Sequence, residues 1–430
     1  MMKKILITLL LTAGISASRS QIMAQQVNDS LMHYIGIAVK NNPTVRQNLS
    51  LYKATLDRKE QAGSLPDPEL SAGVLLKPML LMDGRQYADI RVMQMFPWFG
   101  YRKTAREEME YMAQAGNLKL SDAVLSVIAD LEKNWLELYS VRKMQSITKK
   151  NIETLSAIEK LAVTGYINSQ NSESGQGLAA INMIKIERGE LLIDLSELGE
   201  KEHTLTSRIN SLMNRDQAAD VFVPGSIQAD SLDLKSVYKA DSLVNNNPMV
   251  KMLEQEGRSL AARQTMIKKM GLPMLGLGLN YTVIGKSEFT SSSMNGKDMV
   301  MPMLTLTLPV YRKKYSAMLS ENENLRNANA YNRTEVENSL RTELAAAMEQ
   351  YHNAVRRFQL YNNQNDLAGN TLEIMMQSFA AGKTSMTELL RIRQQCYQYE
   401  TKKEQALADL NSAVADIRRI LAISDITGKN

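Results

Sequence analysis

Very few side chains in this 430-residue chain could do covalent or metal chemistry. The three histidines, His33, His203 and His352, fall on separate helical stretches, without ligand spacing such as His-Glu-x-x-His. Cys396 is the only cysteine, so there is neither a CxxC pair nor a disulfide framework, and in a helical pattern it reads as a small buried hydrophobe. No nucleophile elbow or phosphate loop occurs. The chain reads as a non-enzyme with no cofactor and no catalytic or metal-ligating set. Methionine is the exception, with 27 residues, clustered at Met79, Met82, Met93 and Met95 and again at Met294, Met299, Met301 and Met303. Thioethers suit Cu(I), which fits a copper or silver exporter. Methionine also replaces leucine in helix seams and barrel walls with no metal role, and no histidine or cysteine accompanies the clusters. Composition leaves both readings open.

The elements that position these residues follow a duplicated plan. Asp89-Ile-Arg-Val-Met-Gln-Met-Phe-Pro-Trp-Phe-Gly-Tyr-Arg-Lys103 is an extended stretch that stops at Pro97 before a helical pattern. Asp298-Met-Val-Met-Pro-Met-Leu-Thr-Leu-Thr-Leu-Pro-Val-Tyr-Arg-Lys313 repeats the event. Proline removes a ladder donor and so ends a strand. Ala38-Val-Lys-Asn-Asn-Pro-Thr-Val45 likewise returns as Leu243-Val-Asn-Asn-Asn-Pro-Met-Val250. A glycine follows a long helical stretch in each half, Gly165 and Gly382, and is expected to reverse the chain. The halves are 25–225 and 226–430, each reading helices, hairpin, long helical hairpin.

The N-terminus has a basic start and a short apolar run and reads as a cleaved signal peptide over 1–24. Without Lys3, Lys4 and Arg19 the formal charge of +5 falls by three, so charge gives no argument for nucleic acid. No later segment has the roughly twenty apolar residues of a spanning helix. Asn28-Asp29-Ser30 can cap the first mature helix, and a second is expected from Thr44 to Ala62, broken by Gly63-Ser-Leu-Pro-Asp-Pro68.

Two hairpins are expected, at about 69–97 and 273–310. In the first, Leu70 to Leu76 alternates weakly, Lys77 to Gly84 reads as a loop, and Tyr87 to Phe96 is the return strand. In the second, Leu275, Leu277, Leu279, Tyr281 and Val283 share one face, and Leu304, Leu306 and Leu308 do the same in the partner strand. Ten-residue strands, apolar on one face and small or polar on the other, fit a transmembrane β-barrel wall with those leucines toward lipid; a soluble sandwich with one wet face shows the same alternation. Trp98, Phe99, Tyr101 and Tyr311 would then be membrane-interface anchors.

Long helical hairpins follow, at about 102–213 and 312–422. Val124, Ile128, Leu131, Trp135 and Leu138 recur at three-and-four spacing, as do Ile181, Ile184, Leu191, Leu195, Leu198, Leu205, Ile209 and Leu212. Leu407, Leu410, Val414, Ile417 and Leu421 close the series. These are coiled-coil seams, and the first of these helices, from Arg102 to about Val163, would be roughly 90 Å long.

The paired halves, the Asn-Asn-Pro boxes, Pro66-Asp-Pro-Glu-Leu-Ser71, Gln94-Met-Phe-Pro-Trp-Phe-Gly100 and Phe379-Ala-Ala-Gly-Lys-Thr-Ser-Met-Thr-Glu-Leu-Leu390 resemble the TolC-type outer-membrane efflux proteins. The Phe-Pro-Trp-Phe-Gly turn resembles the heavy-metal branch, whose lipidated cysteine this chain lacks. The resemblance implies an α+β membrane protein: a homotrimeric, twelve-stranded barrel in outer-membrane lipid, four strands per chain, continued by a periplasmic helical coiled-coil barrel. It implies a passive exit duct fed by a periplasmic adaptor (membrane fusion) protein and an inner-membrane efflux pump, those of the resistance-nodulation-division type included. Gly165, Gly382 and Lys383 would be adaptor-docking tips. Relatives close their periplasmic aperture with two carboxylates one turn apart; matched on Ala381-Gly382, these positions are Glu388 and Arg391 here, which would pair as two rings of opposite charge. Phe379 and Thr384 stand where relatives carry a tyrosine and an arginine, so their polar latch is not reproduced. A non-conducting adhesin or structural coiled coil is the remaining alternative.

Overall fold

The computed structural model describes residues 31–168, 174–232, 244–289, 291–381 and 383–423. The signal peptide, the Asn28 to Ser30 cap and Gly382 lie outside the described residues. Helical residues 31–41 lead into α1 (Pro43–Gly63), followed by β1 (Glu69–Leu81), β2 (Gly84–Phe96), α2 (Tyr101–Asn168) and α3 (Ser174–Leu212). The second half gives α4 (Pro248–Met270), β3 (Met274–Gly285), β4 (Met299–Thr307), α5 (Arg312–Ala380) and α6 (Met386–Leu421). The described fold is helix-rich with one four-stranded antiparallel sheet. No described helix is long and apolar enough to cross a membrane.

The chain divides into two compact units, and each draws on both halves of the sequence. One comprises 48–120 and 248–337 and holds the sheet, in the order β1-β2-β3-β4. The halves of the sequence meet in it, because β2 pairs with β3 from Arg85 opposite Gly285 to Phe96 opposite Leu275. The first hairpin is longer than its sequence implied. β1 runs to Leu81, with a register shift between Val74 and Met79, and the reversal comes at Met82-Asp83. Lys77 and Pro78 hid the strand, since a proline beside a bulge at a sheet edge leaves the ladder intact. Gly84, at φ 134°, takes a backbone conformation open to glycine alone. Beside the sheet, Arg106 bridges Glu60 at 2.6 Å and Lys59 bridges Glu110 at 3.1 Å, tying α1 to α2.

The other unit, 1–47, 121–247 and 338–430, holds the greater part of the long helical hairpins. The expected seams form its core: Ile128, Leu131, Trp135, Leu138, Ile184, Leu205 and Ile209 are buried, and so are Leu407, Leu410, Val414, Ile417 and Leu421. The Asn-Asn-Pro boxes now have a physical reason. Asn42 Nδ2 donates to Leu212 O at 2.8 Å, and Asn247 Nδ2 donates to Ile420 O at 2.8 Å, so each buried asparagine satisfies a carbonyl at the end of its own half's return helix. Left-handed residues follow both helix ends, at Asn214 and Ala422. A strap over 213–232 crosses the bundle, held where Trp135 Nε1 reaches Phe222 O at 3.1 Å and Arg142 Nη1 reaches Val221 O at 2.7 Å.

Candidate functional site: the sheet wall and the helix ends

The register sorts the strands into two faces. One carries the rows Phe96, Leu275, Leu306; Gln94, Leu277, Leu304; Leu70, Val92, Leu279, Pro302; and Ala72, Ile90, Tyr281, Val300. Leu70, Ile90, Val92, Leu277, Leu279, Tyr281, Val300, Leu304 and Leu306 are all exposed there, and Leu275 is half-buried. A contiguous exposed apolar face of this width requires a non-aqueous neighbour. Gln94 is its polar interruption, and its amide is satisfied by Pro66 O at 2.8 Å. Leu306 lies in the row of Phe96, near the strand ends, so the middle of the wall is at Leu279. Leu308 is exposed just beyond β4.

At those strand ends Phe99 and Tyr311 are 80% and 82% exposed, and Trp98 stacks edge-on against Phe99. Tyr101 is half-buried as the first residue of α2. Gly100, at φ 78°, shapes this turn, and Lys269 Nζ donates to its carbonyl at 3.1 Å. The opposite sheet face carries Asp89, Arg91, Met93, Met95, Gly276, Gly278, Asn280, Met301, Met303 and Thr305. At the far end, Asp83 holds the 286–298 loop through Ser292 Oγ at 2.7 Å and Gly296 N at 2.9 Å.

The helix ends depart from expectation at several points. Gly165 does not reverse the chain: α2 continues through it to Asn168, because helical hydrogen bonding tolerates one glycine at a cost of about 1 kcal/mol. Lys383 is exposed, and its N–H closes α5 by donating to Ser378 O at 2.9 Å. Glu388 is engaged in a capping box instead of pairing with Arg391: its N–H donates to Ser385 Oγ at 3.3 Å, and its carboxylate accepts from Ser385 N at 3.4 Å. Among the described residues no ion pair joins it to Arg391, which is exposed.

The buried charge nearby is Arg393, which the sequence reading missed. Its Nη2 donates to Asn151 Oδ1 and O on α2, while its Nε and Asn151 Nδ2 are buried with no partner among the described residues. Burial holds its pKa below the usual arginine range, and burial raises that of the neighbouring Glu187 carboxyl. The three-and-four spacing of Met386, Leu389, Leu390, Arg393 and Tyr397 was the available signal. Leu390 lies in a core with Leu155, Ile158, Ile184 and Leu191, and Met386 and Tyr397 pack against it. Also unread were exposed apolar residues at heptad spacing, Ile186 and Ile193 on α3 and Leu360, Leu367 and Ile374 on α5.

A family model described as outer membrane efflux protein matches residues 240–422. The second half of the chain is therefore similar to the outer membrane efflux protein family. Like this chain, solved outer-membrane channels of the same fold span both halves. The channel OprN shares 16% identity, covering 91% of this chain and 90% of its own, with a TM-score of 0.74. The open-state MtrE channel of Neisseria gonorrhoeae shares 15%, covering 91% and 88%, with a TM-score of 0.73. CusC, described in terms of folding and transmembrane channel formation, shares 11%, covering 92% of each chain, with a TM-score of 0.75. No curated protein matches the chain. Among the described residues no three histidine, cysteine, aspartate or glutamate side chains cluster to hold a metal ion.

Proposed function

We propose that this chain is the outer-membrane exit duct of a tripartite efflux system, passive in itself and supplied by a periplasmic adaptor and an inner-membrane pump. The observation that carries the reading is the sheet, with one exposed face that is apolar apart from Gln94 and, among the described residues, no partner for the outer edges of β1 and β4. Open edges are not tolerated facing lipid, and four strands are too few to close a barrel. Copies of the chain complete it, β4 of one pairing with β1 of the next, and three copies give the twelve-stranded barrel of the family resemblance. The heptad-spaced Ile186, Ile193, Leu360, Leu367 and Ile374 supply the matching helical seams between copies.

In this assembly Trp98, Phe99, Tyr101 and Tyr311 sit at the headgroup level. Gly165, Gly382 and Lys383 belong to the adaptor-facing ends, and Arg391 faces the aperture, with Glu388 fixing the start of its helix. A signal peptide over 1–24 delivers the chain to the outer membrane. Purified protein in planar bilayers should give discrete conductance steps. Assembled trimer that inserts without conducting would overturn the duct and favour a structural or adhesive role.

A further inference from the structure

On the face opposite the leucines, side chains gather over two glycines. A Cβ added at Gly276 would lie 2.6 Å from Met95 Sδ and 3.2 Å from Met93 Sδ, so both sulfurs converge over that bare backbone. One added at Gly278 would lie 3.0 Å from both Met93 Sδ and Met93 Cε. Met303 completes the row on the other side, since Met93 pairs with Gly278 and Gly278 with Met303. Thr305 Oγ1 contacts Met93 Sδ at 3.7 Å. The arrangement comes from two Met-x-Met steps, Met93-Gln-Met95 and Met301-Pro-Met303, whose two-residue period puts all four thioethers on one side of the sheet.

Apolar filling does not account for this face, because Asp89, Arg91, Asn280 and Thr305 share it while the leucines occupy the other. Thioether sulfur is neutral, soft and polarizable. It prefers Cu(I) and Ag(I), whereas hard and borderline divalent cations select carboxylate and imidazole sets, of which no group of three occurs among the described residues. We propose that Met93, Met95 and Met303 form a thioether site for a soft monovalent cation, Cu(I) or Ag(I), on the small-residue face of the sheet. That this face lines a lumen, and the cation is cargo, rests on the duct reading; the site itself lies within one chain. Neutral sulfur ligands hold the ion weakly enough for release, as conduction requires.

The test uses purified trimer carrying Cys396→Ser, which removes the competing thiol, equilibrated with silver nitrate in chloride-free buffer. Bound silver is counted by mass spectrometry, with magnesium as the hard-cation comparison. About one silver ion per chain should be retained. In the volume-conserving variant Met93→Leu, Met95→Leu, Met303→Leu, retention should fall to background while trimer yield and conductance stay unchanged. Equal retention by both proteins, or none by either, overturns the site and leaves the duct standing. Silver retention lost in the variant together with an absence of conductance in both proteins upholds the site and overturns the duct.

Discussion

Arginine at Leu279 tests the wall at its most demanding point. Leu279 is 50% exposed and sits in the middle row with Leu70, Val92 and Pro302, while Leu306 shares the end row of Phe96. An arginine on the lipid face of a barrel costs about 2–4 kcal/mol at the midplane and about 0–1 near the interface. Leu279→Arg should therefore disfavour each folded chain roughly 30- to 700-fold, and Leu306→Arg by less than about tenfold. If the sites add, three copies raise the midplane cost to about 6–12 kcal/mol per trimer. Met301→Arg places the same charge on the opposite face, beside Asn280, and should be tolerated. Trimer yield in outer-membrane fractions, read on semi-native gels, should rank Met301→Arg and Leu306→Arg near wild type and Leu279→Arg far below. Leu279→Arg yielding as much trimer as Leu306→Arg, or Met301→Arg proving the worst, would refute the assignment of faces.

Leu367→Lys, which charges an exposed heptad position on α5, should lower trimer yield without loss of helical signal in circular dichroism. Burial pushes the Glu132 carboxyl up to about 7, against the pull of Arg418 and with the push of Asp230. Because this folded pKa lies above the unfolded value, stability should fall as pH rises from the ordinary carboxylate range to about 7 and then level. Glu132→Gln should flatten that trend and raise the melting temperature at pH 8, by up to about 3 kcal/mol in stability; an unchanged difference between pH 5 and pH 8 would sink it. Arg391→Asp should raise cation selectivity and divalent block in bilayer recordings, and wild-type values would remove this residue from the narrowest part of the pore.

The sequence was most legible where one residue decides the backbone. Prolines and glycines placed the ends of α1 and the starts of α2 and α5 within a residue or two, because a missing donor or a free φ acts locally. Alternation revealed β3 and β4, because the two-residue period of the pleat is likewise a local property. Lys77-Pro78 concealed the end of β1, where edge position overrides propensity. Ser385-x-x-Glu388 is a capping box that could have been read, but the match to relatives drew attention to the carboxylate instead. The methionine count was plain, yet which sulfurs meet depends on the β2–β3 register, set between residues nearly two hundred positions apart. The exposed heptads were obscured because buried and exposed apolar rows interleave on one helix.

The ladder between β2 and β3 joins two copies of one plan, and the proposed β4-to-β1 contact would join the next two. The first has been made covalent. Tethering the second hairpin to the first replaces a bimolecular encounter with an intramolecular one. In the proposed trimer, only three of six like seams then depend on the concentration of chains. The two seams are also free to diverge: mutations in β2 and β3 are inherited together by one chain, whereas β1 and β4 must remain complementary to another molecule.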